Sequence, residues 1–167
     1  TTEAMASPVW PEASSASMIA SFAQKPTNGG MPAVENINGQ AITLSKKLAD
    51  KGAVDGASLA KLMTTEKRDY TFAQTFPTGT HAMWLYYWLA SVGVNPMKDA
   101  KMITVPPPQM VANMRVGNMD GYCVGEPWGH RAIIDGIGIT ATTTQDIWPE
   151  HPEKVLGTTG DFVKKYP

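Results

Sequence analysis

The chain has 167 residues, 14 basic against 15 acidic side chains, a net charge of −1, and 43% hydrophobic but only 17% charged residues. That length holds one compact domain or two small lobes, and the apolar fraction supports a core, which excludes a wholly disordered chain. Near-zero charge with no local block of Lys or Arg removes the electrostatic footprint of nucleic-acid binding, and no apolar run reaches the roughly 18–20 residues of a membrane span.

Residues 1–32 are dominated by Ala, Ser, Pro, Gly and Thr, with Met18 to Phe22 as a short apolar cluster. They read as a weak helix within loops or as a frayed end. TTEAMASPVW lacks the basic and apolar regions of a secretory signal. Behind the turn signal Asn38-Gly39, Ala41 to Leu44 is a short strand. Ser45 to Asp50 and Ser58 to Met63 are short helices separated by Gly52 and Gly56.

From Tyr70 the pattern sharpens. YTFAQTF alternates as a strand does, and HAMWLYYWLASVG places Trp84, Leu85, Trp88 and Val92 at helical spacing before a stop at Gly93. KMITV (101–105) is a second strand, and the prolines 106–108 open a helix over QMVANMRVG. YCVGEPW is a third strand running into a loop. A helix at 129–135, a Thr-rich strand near 139–143, the acidic-aromatic segment DIWPEHPEK and a last helix, DFVKKY, complete the chain. Short strands alternating with helices predict an α/β fold with a parallel-rich sheet and right-handed crossovers.

Ligands of such a sheet bind outside the carboxyl ends of the strands. Pro77 to His81, Pro106 to Gln109 and Gly125 to Trp128 fall there, and the first two also open helices, whose unpaired N–H groups invite a small anion. Thr78, Gly79 and Thr80 suit that role, with hydroxyls to cap the helix and a glycine to admit a ligand to the backbone. His81 either points to that edge or simply bonds a nearby carbonyl. Trp84, Leu85 and Trp88 read as core facing the sheet, and the ten methionines as scattered core filler. Glu126 is the one carboxylate at the predicted edge, and its plain reading is an end-of-strand charge paired with a basic side chain.

Enzyme chemistry finds little support. His130 and His151 lack metal-ligand spacing, and no nucleophile elbow, P-loop or dinucleotide fingerprint is present. Cys123, the single cysteine, falls inside an apolar strand and reads as a buried, inert thiol. No metal site, cofactor or catalytic residue is expected.

ENINGQAITLS, FPTGTHAMWLYYWLASVGVNP, ITVPPPQMVANMRVGNMDGYCVGEPW and DIWPEHPEKVLGTT resemble the nitrate/bicarbonate-binding proteins of bacterial ABC importers, within a wider group that also serves sulfonates and taurine. The resemblance covers about residues 32–167. It implies a periplasmic-binding-protein-like fold of type II, of which this chain holds a part. Residues 1–68 would be a partial first lobe and crossover, 69–127 the second lobe, and 128–167 a return into the first. Because the family's members are considerably longer, the chain is expected to be truncated at both ends.

The family's ligand contacts carry over by motif position to Gln40, His81, Pro107, Gly125, Glu126 and Lys154. The resemblance implies capture of a small oxyanion in an interlobe cleft and its delivery to permease and ATPase subunits. The location would be the periplasm or the outer face of the cytoplasmic membrane, with a lipid anchor in the full-length protein as an alternative. Nitrate is planar and acceptor-only, so donors and positive charge suit it. The family's bicarbonate members look different at the positions of His81 and Lys154, with an amide and a carboxylate there, so the resemblance implies nitrate, with nitrite close behind. Glu126 would then pair with Lys154 or His81 and orient it. Bicarbonate or sulfonate binding, and an enzyme or sensor domain on the same scaffold, are the competing readings.

Overall fold

The computed structural model describes residues 29–166, so the reading of residues 1–28 lies outside the described residues. Two compact units divide the chain: Gly39–Ile147, and the flanking residues 29–38 with 148–166.

The larger unit is a five-stranded sheet in the order β4-β3-β5-β2-β6. Its strands are β2 (Gln40–Ser45), β3 (Thr71–Gln74), β4 (Lys101–Thr104), β5 (Gly121–Gly125) and β6 (Gly138–Thr143). β3 pairs in parallel with β4 and β5, whereas β2 runs antiparallel between β5 and β6. The sheet is therefore mixed, with β2 reversed against its neighbours. Compactness also groups β2 and β6 with β3 to β5, and the boundaries of the compact units fall at 38/39 and 147/148.

Helices α1 (Lys46–Ala49), α2 (Gly56–Thr65), α3 (Thr80–Ser91), α4 (Pro107–Val116), α5 (Trp128–Ile134) and α6 (Thr144–Ile147) join or follow these strands. Local chemistry explains their ends. Ser45 caps α1 through Leu48 N, and Asp55 with Ser58 forms a reciprocal capping box on α2. Pro107 stands at the first position of α4, where its missing N–H costs nothing, and Gly117 closes that helix in the left-handed region at φ 84°.

The pleat sorts the core onto two faces. Ala73, Tyr122 and Val124 join Val105, Met110, Met114, Met119 and Ala132 under α4 and α5. Ile42, Leu44 and Phe72 occupy the opposite face, where α3 packs with Leu85 and Leu89 fully buried. Trp84 and Trp88 are buried as expected, and the Trp88 indole lies against Gly56 of α2. A Cβ on Gly56 would lie 3.2 Å from Trp88 Nε1, so glycine is what lets the two helices close there. Cys123 is fully buried.

The smaller unit pairs β1 (Gly29–Ile37) antiparallel with β7 (Pro152–Thr159), and α7 (Gly160–Lys165) packs on both strands. Neither strand was expected: residues 29–32 read as loop, and DIWPEHPEK had no assigned structure. Each strand exists because of a partner more than a hundred residues away in the chain, which local pattern does not report. No helix among the described residues is long and apolar enough to cross a membrane.

At the amino edge of the large sheet, Asp120 ties four segments together. Its carboxylate receives both Arg68 guanidinium nitrogens (3.0 and 2.6 Å) and Thr71 N (2.9 Å), while its backbone bonds Thr71 O and Ser45 N. The same guanidinium lies 3.8 Å above the Tyr70 ring. Replacing Asp120 by Asn keeps the shape but removes the charge-assisted fork. Because Arg68 remains partly solvated, urea denaturation should show a loss of about 1 kcal/mol.

Candidate functional site

Parallel strands β3, β4 and β5 end at one edge of the sheet, and reversed β2 begins there. Three helices, α3, α4 and α5, start from the same edge. The segments 77–81, 106–109 and 125–128 thus lie where they were expected.

Gln40 opens β2 opposite Gly125, the last residue of β5. It is 2% exposed, and its Nε2 donates to Thr80 Oγ1 at 3.0 Å. Its backbone carbonyl accepts from Thr144 Oγ1 at 3.1 Å. One residue therefore joins β2, β5, the first turn of α3 and the start of α6. His81 follows Thr80 in that turn and is half-buried, with Nδ1 2.8 Å from Thr75 Oγ1. Thr75 itself is buried and directly follows β3.

The helix ends differ in how their amides are used. Gly79 is the N-cap of α3, and no side chain caps this helix. The expected capping by threonine hydroxyls is not what the structure shows: Thr80 is inside the helix accepting from Gln40, and Thr78 is exposed in the loop. Helix α4 likewise starts at Pro106 and Pro107 without a side-chain cap. Val105 N donates to Gln74 O at 2.9 Å, which sets this start beside the end of β3. The prolines 106–108 have no N–H and Gln109 N donates to Pro106 O, so the exposed amides of a helix start belong to α3 and not to α4.

The third end is different. Glu126 Oε2 accepts from His130 N at 2.9 Å, so the carboxylate caps α5 from the residue before its cis-linked Pro127. Gly129 leaves the room: a Cβ there would lie 2.8 Å from Glu126 Oε1. Glu126 thus has a backbone partner, because an acid two residues before a helix finds positive potential in that helix's own amides. Lys154 stands on β7 in the smaller unit. It is exposed, its backbone N–H donates to Asn36 Oδ1 at 3.0 Å, and its ammonium lies 3.6 Å from Glu153.

Gln40, Thr80, His81 and Gly125 are thus brought into one constellation, with Thr78, Gly79, Pro107 and Glu126 along the same edge and Lys154 in the other unit. Two residues escaped sequence reasoning. Thr75 holds His81, and Gln74, 3% exposed, carries a buried Oε1 without a hydrogen-bond partner. The signal was present in YTFAQTF: two consecutive polar residues ending an apolar strand belong at a sheet edge where something polar is met. Below this edge, Tyr122 donates to Trp128 O at 2.9 Å, and burial pushes its phenol up to about 12, so it stays protonated at neutral pH.

Comparison with known proteins places this geometry. A family model described as the NMT1-like family matches residues 6–167. The chain is 43% identical over 143 residues to the nitrate/nitrite binding protein NrtA of Synechocystis sp., covering 86% of this chain and 32% of that protein. It is also 43% identical over 131 residues to the bicarbonate transport ATP-binding protein CmpC of the same organism, covering 78% of this chain and 20% of that one. The crystal structure of the periplasmic nitrate-binding protein NrtA from Synechocystis matches with a TM-score of 0.74 at 43% identity, over 82% of this chain and 36% of that chain. These likenesses bear out the periplasmic-binding-protein-like α/β fold. The chain spans about a third or less of the length of these relatives.

Two substitutions test the edge. Glu126→Ala should cost about 1 kcal/mol in thermal unfolding, the usual cost of losing a helix cap. Gln74→Met removes the buried unpartnered oxygen with little change in volume, so the melting temperature should hold or rise.

Proposed function

Since the chain belongs to the NMT1-like family, we propose that its carboxyl-edge constellation is part of the nitrate site of a substrate-binding protein that serves an ABC importer. The observation that carries this reading is the pair of contacts Gln40–Thr80 and Thr75–His81 around the uncapped start of α3. A hydroxyl oxygen that accepts from Gln40 retains its own proton, so Thr80 can donate. The start of α3, which no side chain caps, adds its backbone N–H groups. Nitrate accepts hydrogen bonds and donates none, which is the chemistry this donor set serves.

Glu126 does not oppose an anion in this reading. Its charge is spent on α5, which leaves α3 as the helix start with exposed amides at the edge. Lys154 is carried into the site by the resemblance alone, as the residue that supplies a full positive charge. The relatives described above are named for binding and transport, and we read this chain as a binding module without catalysis. Its partners would be permease and ATPase subunits, and its location the periplasm.

The 43% identity to a bicarbonate transport protein makes bicarbonate the second ligand to test. Hydrogencarbonate has nitrate's planar shape but carries one hydroxyl donor, so it needs an acceptor that nitrate does not. Isothermal titration calorimetry of the chain should give heat with nitrate and none with bicarbonate or sulfate. His81→Ala should weaken nitrate binding by at least about tenfold, and Lys154→Glu should abolish it. Undiminished nitrate affinity in both variants, or heat with bicarbonate alone, would overturn the reading.

A further inference from the structure

We propose that Gly129 is a positioning residue for the anion site: because it has no side chain, the Glu126 carboxylate can turn into α5 and keep its charge away from the ligand. The effect on the ligand rests on the oxyanion reading above, whereas the seat of Glu126 belongs to the ligand-free protein.

The seat is narrow. Glu126 Oε2 accepts from His130 N at 2.9 Å, across the first turn of α5. A Cβ on Gly129 would stand 2.8 Å from Oε1 of the same carboxylate and 3.1 Å from Thr43 Oγ1. The first distance is well inside van der Waals contact, so one of the groups would have to move. Thr43 is fully buried in β2, between β5 and β6, and Gly129 is itself buried in α5, so neither backbone has anywhere to retreat. The carboxylate is the far end of a flexible side chain on an exposed residue. It is the group that gives way, and with Thr43 behind it the open direction is outwards, to the carboxyl edge.

That direction matters for an anion. Glu126 follows Gly125, which pairs with Gln40, so a carboxylate released there joins the edge that Gln40 and the start of α3 share. In its seat the charge is offset by the amides of α5; released, it faces the same solvent and the same donors as the ligand. Like charges several ångströms apart on a partly solvated edge repel enough to weaken binding by about fivefold. Glycine is also a poor helix former, so its presence as the second residue of α5 is a local cost. The room it leaves for Glu126 gives that cost a reason.

The test is a cycle of variants in the whole chain. By isothermal titration calorimetry, Gly129→Ala should bind nitrate about fivefold more weakly than the wild type. The same substitution in a Glu126→Gln background should change affinity by less than about twofold, because the displaced group is then neutral. A merely structural loss would be equal in the two backgrounds. Without ligand, the His130 amide proton in ¹H–¹⁵N spectra reports the seat, and Gly129→Ala should move it upfield as Glu126→Ala does. A His130 amide that ignores Gly129→Ala overturns the seat. Undiminished nitrate affinity in Gly129→Ala, or equal losses in the two backgrounds, overturns its role at the site while the oxyanion reading stands. If the amide responds while the wild-type chain binds no nitrate, the oxyanion reading fails and the seat of Glu126 stands.

Discussion

The direction of β2 decides what the carboxyl edge can hold. A parallel strand in its place would put its first residue at the opposite edge, beside the Arg68–Asp120 cluster. Because β2 is reversed, Gln40 lands opposite Gly125, one position from the carboxylate that caps α5 and within reach of the first turn of α3. Glu126 N donates to Gly39 O, so the ladder runs to the last residue at this edge and leaves β2 no slack there. A slip of one residue would send Gln40 to the face of Ala41 and Val124, under α5, and exchange the polar contact for a buried clash.

The electrostatics of the edge follow from how helix ends are shared. Three helices deliver their positive ends to one place, which by itself would be an indiscriminate attraction for anions. Glu126 answers one of them locally and prolines open α4, so the exposed amides that remain are those of α3. On the proposed reading, a chain of net charge −1 would need no basic surface to hold an anion. A small oxyanion needs a few donors held in fixed directions, and those donors here are backbone amides and a hydroxyl more than surface lysines. Fixing them is the task of buried groups: Gln40 and Thr75 are nearly inaccessible, yet each holds a residue of the α3 start in place.

Much of this was legible in the sequence, and the boundary between what was and was not has a physical reason. The three strand-to-helix turns were visible because their signals are local: prolines 106–108 can only begin a helix, Gly93 ends one, and TFAQ and KMIT are bounded by turn residues. The family motifs brought Gln40, His81, Gly125 and Glu126 to notice. What stayed hidden depends on pairing. Nothing within AITL says whether it runs with or against YCVG, and nothing in GGMPAVENI announces a strand until PEKVLGTT is beside it. The backbone partner of Glu126 was missed because a row of amides does not show in a sequence. Thr75 was passed over as a strand residue when it is the first residue after the strand.

The hydrogen bond from Thr144 to the Gln40 carbonyl spans 104 positions of the chain. Strand β2 is made early, but both of its neighbours, β5 and β6, come last in the large unit. Gln40 therefore precedes both strands it pairs with, whereas β3, α3 and β4 are neighbours in the chain. Closing a loop of that length is entropically costly and slow compared with forming the local crossovers. The candidate site is thus complete only when residues as far apart as 40 and 144 are both in place. Until then Ile42 and Leu44, buried completely in the final sheet, are exposed apolar surface for chaperones to find.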